Sequence, residues 1–224
     1  MQMKTKCSIL LQLFLGLALL LGLAKPDPDP LQDYCIADNK SPQYFFTNGA
    51  PCINPDKAES SHFATSVLSK PGNTGSNKFG FNVTLTNTVN LPGLNTQGLT
   101  LARIDVAVDG IVVPHSHPRA SEVTICLEGL LHVGFVDTSN RLYTRTLRAG
   151  DAFVFPKGLI HYLYNGSPTT RAVAVSGLNS QNPGAQLTSF ATFTSIPEIP
   201  DEVLKKAFQI SKPDVTKIRR NLGG

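Results

Sequence analysis

Apolar and polar residues alternate through the middle of the chain. Ile104, Val106 and Val108 interleave with Arg103, Asp105 and Ala107, the two-residue period of a half-buried strand. Val123, Ile125 and Leu127 repeat it, Gly129 offers a turn, and Leu131, Val133 and Phe135 resume it. Further short strands are predicted over Arg141–Leu147, Ala152–Phe155, Ile160–Tyr164 and Ala172–Val175. With 18 Gly and 16 Pro to punctuate them, strands at this spacing predict an antiparallel sandwich or barrel.

The period changes after Pro200. Val203, Leu204, Ala207 and Phe208 fall on one helical face behind an acidic first turn, Asp201-Glu202. Ser211-Lys212-Pro213-Asp214 resembles a capping box, and Val215, Ile218 and Leu222 follow at helical spacing. Two short C-terminal helices are predicted. Neither is long enough to stand alone, so both must pack on something.

The first residues follow a different logic. Lys4 and Lys6 precede an apolar run from Cys7 to Ala24, with small residues at Gly22 and Ala24. The proline-rich stretch from Lys25 to Pro30 cannot continue a helix. Residues 1–24 therefore read as a secretory signal peptide. A single membrane anchor is the alternative, since the run is near the minimum spanning length of about 18 residues; the cleavage-site residues favour removal.

Composition adds two constraints. Hydrophobic residues make up 41% and charged residues 16% of 224, which argues for a packed core and against disorder. Without Lys4 and Lys6 the chain carries 18 basic and 16 acidic residues, and no basic run stands out beyond Arg219-Arg220, Lys205-Lys206 being the other adjacent pair. That is not a nucleic-acid-binding surface.

Secretion gives the cysteines meaning. Cys7 leaves with the leader, Cys35 and Cys52 lie close in sequence, and Cys126 is far from both. In an oxidising compartment the near pair is the expected disulfide, closing an N-terminal segment over residues 25–60. Cys126 is then a buried thiol, and its phase with Glu122 and Thr124 predicts that it points inward, towards the site described next. Three sequons, at Asn39, Asn82 and Asn165, also fit export. Asn82 lies in a polar, turn-rich stretch and is the favoured glycosylation site; Asn165 follows an apolar strand too closely to be accessible.

The chemistry lies between Gly110 and Asn165. In His115-Ser116-His117, residues two apart on a strand share a face, so both imidazoles can meet one ion. Glu122 can return a carboxylate to the same place if the chain bends at Pro118, and His161 follows Pro156-Lys157-Gly158 on a later strand. Three imidazoles and one carboxylate suit Mn, Fe, Ni, Cu or Zn and are too nitrogen-rich for Ca or Mg. His-x-His alone is also a common surface pair, and the wider pattern decides against that. His62 and His132 have no partners in it and read as a capping or surface residue and a structural one.

Gly110, His115, His117, Glu122 and Gly129, then Gly150, Pro156, Gly158, His161 and Asn165, occupy every anchor of the two cupin motifs. The chain resembles the cupins, and within them the plant germin-like proteins. The stretches PDPDPLQDYCIAD, LPGLNT, HSHPRASE and NSQNPG extend the likeness over the whole mature chain. The resemblance implies a mainly β double-sheet jelly-roll barrel over residues 61–224, with C-terminal helices from about residue 200 that clasp a neighbour in a hexamer, a trimer of dimers. It implies Mn on His115, His117, Glu122 and His161, supports the Cys35–Cys52 bridge, and places the protein in the cell wall or apoplast with a role in defence. It offers two activities, oxalate oxidase and superoxide dismutase. Oxalate-oxidising members orient substrate with two asparagines, and the matching positions here are Ala102 and Val112, which cannot donate a hydrogen bond. Ala149 replaces the usual basic residue before Gly150. The resemblance thus implies a manganese superoxide dismutase acting on a small anion, not an oxalate oxidase. A non-catalytic receptor-like or wall-structural protein is the alternative.

Overall fold

The computed structural model describes residues 33–40 and 49–223. The signal-peptide reading over residues 1–24 falls outside them. Ten strands are described: β1 (Phe81–Leu85), β2 (Thr100–Val106), β3 (Ile111–Ser116), β4 (Glu122–Glu128), β5 (Leu130–Val136), β6 (Leu142–Arg148), β7 (Ala152–Phe155), β8 (Ile160–Tyr164), β9 (Ala172–Leu178) and β10 (Gln186–Leu187). They form two antiparallel five-stranded sheets, ordered β1-β2-β9-β4-β7 and β10-β3-β8-β5-β6. This is the antiparallel sandwich expected from the alternating pattern, in the jelly-roll form that the resemblance implies.

Ile104, Val106, Leu131 and Val133 of the alternating runs face inward, whereas Val123, Ile125 and Leu127 lie on the exposed face of β4. Ala102, Ile104, Val106, Cys126, Ala172 and Ala174 from the first sheet meet Val112, Leu131, Val133, Leu147 and Leu163 from the second in one core. Burying each large aliphatic side chain contributes about 1.5–3 kcal/mol. Gly129 makes the tight β4–β5 reversal: its φ is +75°, and a Cβ there would stand 2.4 Å from the Arg171 carbonyl oxygen.

Apart from a one-residue shift in β6 and the short, unexpected β10, the strands differ from expectation at three places. The first alternating run begins at Thr100 and stops at Val106, because Asp109 takes a left-handed φ of 56° and turns the chain. β9 continues to Leu178. β1 was not anticipated, although Phe81, Val83 and Leu85 alternate with Asn82 and Thr84. The turn-rich stretch expected around Asn82 is thus an edge strand.

Arg103 and Asp105, two apart on β2, clip the preceding loop to the first sheet. Their side chains pair at 2.9 Å. Asp105 also accepts from the Gly72 backbone N–H at 2.9 Å, while Arg103 donates to the Leu68 carbonyl at 3.3 Å. Cys35 and Cys52 are disulfide-bonded. The segment they close docks through Asn95, whose amide exchanges hydrogen bonds with both backbone groups of Ala50.

The helices are α1 (Thr188–Phe193), α2 (Asp201–Phe208) and α3 (Lys212–Leu222). They pack on one another: Phe193, Leu204 and Val215 form a second small core, flanked by Ile199, Ile210, Ile218 and Leu222. Ser211 and Asp214 make the expected capping box. The apolar stripe on α2 divides, with Leu204 buried and Val203 and Phe208 about half exposed. Among the described residues no helix is long and apolar enough to cross a membrane.

Candidate metal centre

Three side chains of the centre come from the second sheet and its extension, and one from the first. His115 on β3 sits opposite His161 on β8 in the strand register. Their parity is not trivial. Val112 pairs with Leu163 and His115 with His161, so β3 spends three residues where β8 spends two. This bulge lets Val112 and His115, three apart, both line one cavity. His117 lies just past the end of β3, not on a strand as the spacing suggested. Pro118 lacks the N–H to continue the ladder. The turn is held by the Gly158 N–H, which donates to the His117 carbonyl at 3.0 Å. Glu122 opens β4 and faces inward.

The four side chains offer ligand atoms that all lie within 4.8 Å of one another. Each imidazole is oriented by a backbone carbonyl. His115 Nδ1 lies 2.9 Å from the Val113 oxygen, His161 Nδ1 lies 2.9 Å from the Leu159 oxygen, and His117 Nδ1 meets the Gly184 oxygen. A carbonyl can only accept, so each Nδ1 carries the proton and each Nε2 presents its lone pair to the shared centre. Glu122 Oε2 stands 2.9 Å from His117 Nε2 and 3.3 Å from His161 Nε2. Its other oxygen accepts from Thr124 Oγ1 at 2.8 Å, and Thr124 in turn contacts Ser176 Oγ at 2.7 Å. Thr124 and Ser176 are fully buried. Phe155 stacks on the His161 ring at 4.4 Å and closes one side.

The electrostatics fit a cation. Glu122 Oε2 and His161 Nε2 are buried without a hydrogen-bond partner. Lone pairs pointing at lone pairs repel unless a proton or a metal ion lies between them. Burial, reinforced by the neighbouring imidazoles, lowers the His115 pKa to about 4, so it is neutral and ligand-ready at neutral pH. Burial alone would raise the Glu122 pKa, but contacts with His117 and His161 outweigh it and hold the carboxyl well below the usual range. Burial opposes charge on His117 too, yet the Glu122 carboxylate and the Gly184 carbonyl leave its pKa raised. The nitrogen-rich set suits a transition metal.

The centre opens into a cavity of about 350 Å³ between the sheets. Ala102 and Val112 are part of its wall, beside Phe81, Ile104, Leu163 and Leu178. The remaining singled-out residues fall elsewhere. Cys126 is buried and inward-facing, but four residues along β4 from Glu122 it lies about 13 Å away at ~3.3 Å per residue, so it does not border the centre. His62 caps a short 3-10 turn, accepting from the Glu59 N–H at 3.0 Å. His132 is exposed and meets Thr146 Oγ1 at 2.9 Å. Asn39 is exposed, and Asn82 half-buried on β1. Asn165 is fully buried, and its amide donates to the carbonyls of Ala107 and Thr170 at 2.8 Å each. A glycan on that nitrogen is incompatible with the fold. Thr124, Ser176 and the Gly184 carbonyl were not singled out by sequence.

Two facing sheets with three imidazoles and a carboxylate between them define a cupin, and residues 66–216 match the cupin family. "Germin-like protein subfamily 1 member 1" of Arabidopsis thaliana is 55% identical over 217 residues, covering 96% of this chain and 100% of that protein. Germin-like protein 3-1 of Oryza sativa subsp. japonica is 52% identical, covering 95% and 96%. The chain belongs to the germin-like proteins. A solved oxalate oxidase in complex with the substrate analogue glycolate superposes with a TM-score of 0.83 at 39% identity, over 88% of this chain and 98% of the other.

Proposed function

We propose that this is a secreted manganese protein of the plant cell wall or apoplast that acts as a superoxide dismutase and serves defence. The observation that carries the reading is the convergence of three Nε2 lone pairs and one carboxylate on one point beside a cavity. The reaction takes two superoxide anions and two protons to one O2 and one H2O2. A bound manganese ion would supply the one-electron exchange. The residues do the rest. His115, His117, Glu122 and His161 would hold a divalent ion at a formal site charge of about +1, which attracts a small anion. Thr124 and the three carbonyls fix their orientation, and Phe155 excludes water from one side.

Oxalate oxidation is disfavoured in the same pocket. A second carboxylate placed against Ala102 and Val112 would meet no donor on that wall, and its lost hydration would not be replaced there. Export is supported by the apolar leader and the Cys35–Cys52 bridge. A hexameric assembly is supported by the outer face of the first sheet, where Leu101, Val123, Ile125 and Val154 are exposed, and by Val203 and Phe208 on α2, which would serve as a clasp. A second reading, in which the ion only stabilises a binding or wall protein, rests on the fact that the centre bridges the two sheets.

One series separates these readings. Superoxide and oxalate assays are run on the purified protein, on the demetallated protein, and after reloading with Mn or with Zn. Activity towards superoxide alone, lost on demetallation and restored by Mn but not Zn, is expected. Full Mn loading with no activity above that of free Mn would refute the dismutase and leave the structural reading.

A further inference from the structure

Two of the three imidazoles are oriented locally. His115 and His161 each reach the carbonyl two residues back, that of Val113 and that of Leu159. His117 differs. Its Nδ1 meets the Gly184 carbonyl, 67 residues away in sequence. Gly184 belongs to the loop over residues 179–185 between β9 and β10, most of which also walls the cavity. The aim of His117 therefore depends on where this loop sits, and a loop has no hydrogen-bond ladder of its own to fix it.

The turn that carries His117 holds the loop. At its start, the Ser121 N–H donates to Asn179 Oδ1 at 2.8 Å. Arg119 grips the rest. Its backbone N–H donates to the Pro183 carbonyl at 3.2 Å, its Nε to the Asn182 carbonyl at 2.6 Å, and its Nη2 to Asn182 Oδ1 at 2.9 Å. The guanidinium then lies over Gly184, where a Cβ would stand 2.9 Å from Nη2 and φ is +68°. Glycine supplies both the space and the conformation. Gln181 is anchored separately, accepting from the Thr96 N–H. The residue type at 119 matters. A guanidinium is a planar fork that reaches two acceptors at once, whereas a lysine ammonium is a point donor. Pro118 stands between His117 and Arg119 and narrows the backbone freedom on both sides.

From this arrangement we infer that Arg119 is a positioning residue of the metal centre, clamping the 179–185 loop so that the Gly184 carbonyl fixes the aim and the tautomer of His117. The inference rests on the metal centre proposed above. Arg119 is exposed and does not line the cavity, so it acts only through the loop. With the carbonyl in place the proton stays on His117 Nδ1, and Nε2 is free for the ion. With the clamp released the carbonyl can withdraw and the proton can move to Nε2. The ring then offers an N–H where a lone pair is needed. His115 and His161 keep their local carbonyls throughout, so the effect falls on one ligand of the four.

The test uses the full-length secreted protein. Mn(II) affinity is read in competition with a fluorescent chelator, and the bound imidazoles are read from the nitrogen modulation of the Mn(II) electron spin echo. Arg119→Met keeps the stem and removes the fork. It should weaken Mn binding about tenfold, the lower end for losing a group that orients a metal ligand. Its echo should show two imidazoles as in the wild type and the third altered. Arg119→Lys keeps the charge and should recover only part of the affinity. Asn182→Ala removes one acceptor from the other side of the clamp and should weaken binding by a smaller factor. Wild-type affinity and echo in folded Arg119→Met, full recovery in Arg119→Lys, or equal disturbance of all three imidazoles would overturn the inference alone. If Arg119→Met does not fold, wild-type affinity in Asn182→Ala overturns it. A wild-type protein that binds no Mn would overturn it together with the reading beneath it.

Discussion

Replacing Thr124 by valine tests how the centre is held without touching a ligand. Thr124 Oγ1 donates at 2.8 Å to one oxygen of Glu122, so the other faces the imidazoles. Valine keeps the shape and the β-branch that suits a strand, and removes only the donor. A hydrogen bond to a charged acceptor is worth about 1.5–3 kcal/mol. Losing a group that orients a metal ligand costs about 10–100-fold in affinity, or about 1.4–2.7 kcal/mol. The two estimates agree, so Thr124→Val should bind Mn about 10–100-fold more weakly in competition with a fluorescent chelator. Ser176 Oγ loses the same partner, so the apo protein should also melt lower. Thr124→Ser should restore most of the affinity. Unchanged Mn affinity in Thr124→Val, in a folded protein, would refute the orienting role.

Three further outcomes are expected. The Asp105 carboxyl loses from burial, but Arg103 and the Gly72 N–H outweigh this and depress its pKa below the ordinary 3.8; its stabilisation is therefore full above that value and lost as pH falls through the lower folded one. Asp105→Asn should cost about 3 kcal/mol at pH 7, and melting curves from pH 6 to pH 2.5 should show the gap to wild type closing only at the acid end. Replacing Cys35 and Cys52 together by alanine should cost about 3 kcal/mol, read by urea unfolding, with the metal centre intact. Cys126, buried and with its thiol pKa pushed up by burial, should resist bulky thiol reagents in the native protein and react on unfolding; rapid native labelling would contradict its place in the core.

The cluster was legible because His115, His117, Glu122 and His161 are carried by local spacings within two short motifs, and the turns that aim them need glycine or proline at fixed offsets. The strands around them were legible because apolar and polar residues alternate along most of them, although on β4 the apolar residues Val123, Ile125 and Leu127 form the exposed face and on β6 only Leu147 is buried. What was not legible depends on pairing between distant strands. Thr124 sits two residues after Glu122 and could have been suspected, but Ser176 becomes its partner only through the β4–β9 register. The bulge in β3 is invisible in the sequence, because Val112 and His115 acquire the same facing only when set against β8. The Gly184 carbonyl acts through the backbone, which leaves no side-chain signature. β1 was missed because its apolar residues are few, half-exposed and interleaved with the polar residues of an edge strand. Cys126 shows the limit of parity reasoning: the facing was correct, but facing does not fix distance along a strand.

On the proposed reading, His115, His117, Glu122 and His161 hold one manganese ion. The most direct measurement is metal content per chain by mass spectrometry, on protein purified without chelators or added metal, for the wild type and for Glu122→Gln. Close to one manganese per wild-type chain and a large loss in the variant is the predicted result. A folded wild-type protein carrying zinc, or no metal in stoichiometric amount, would contradict it.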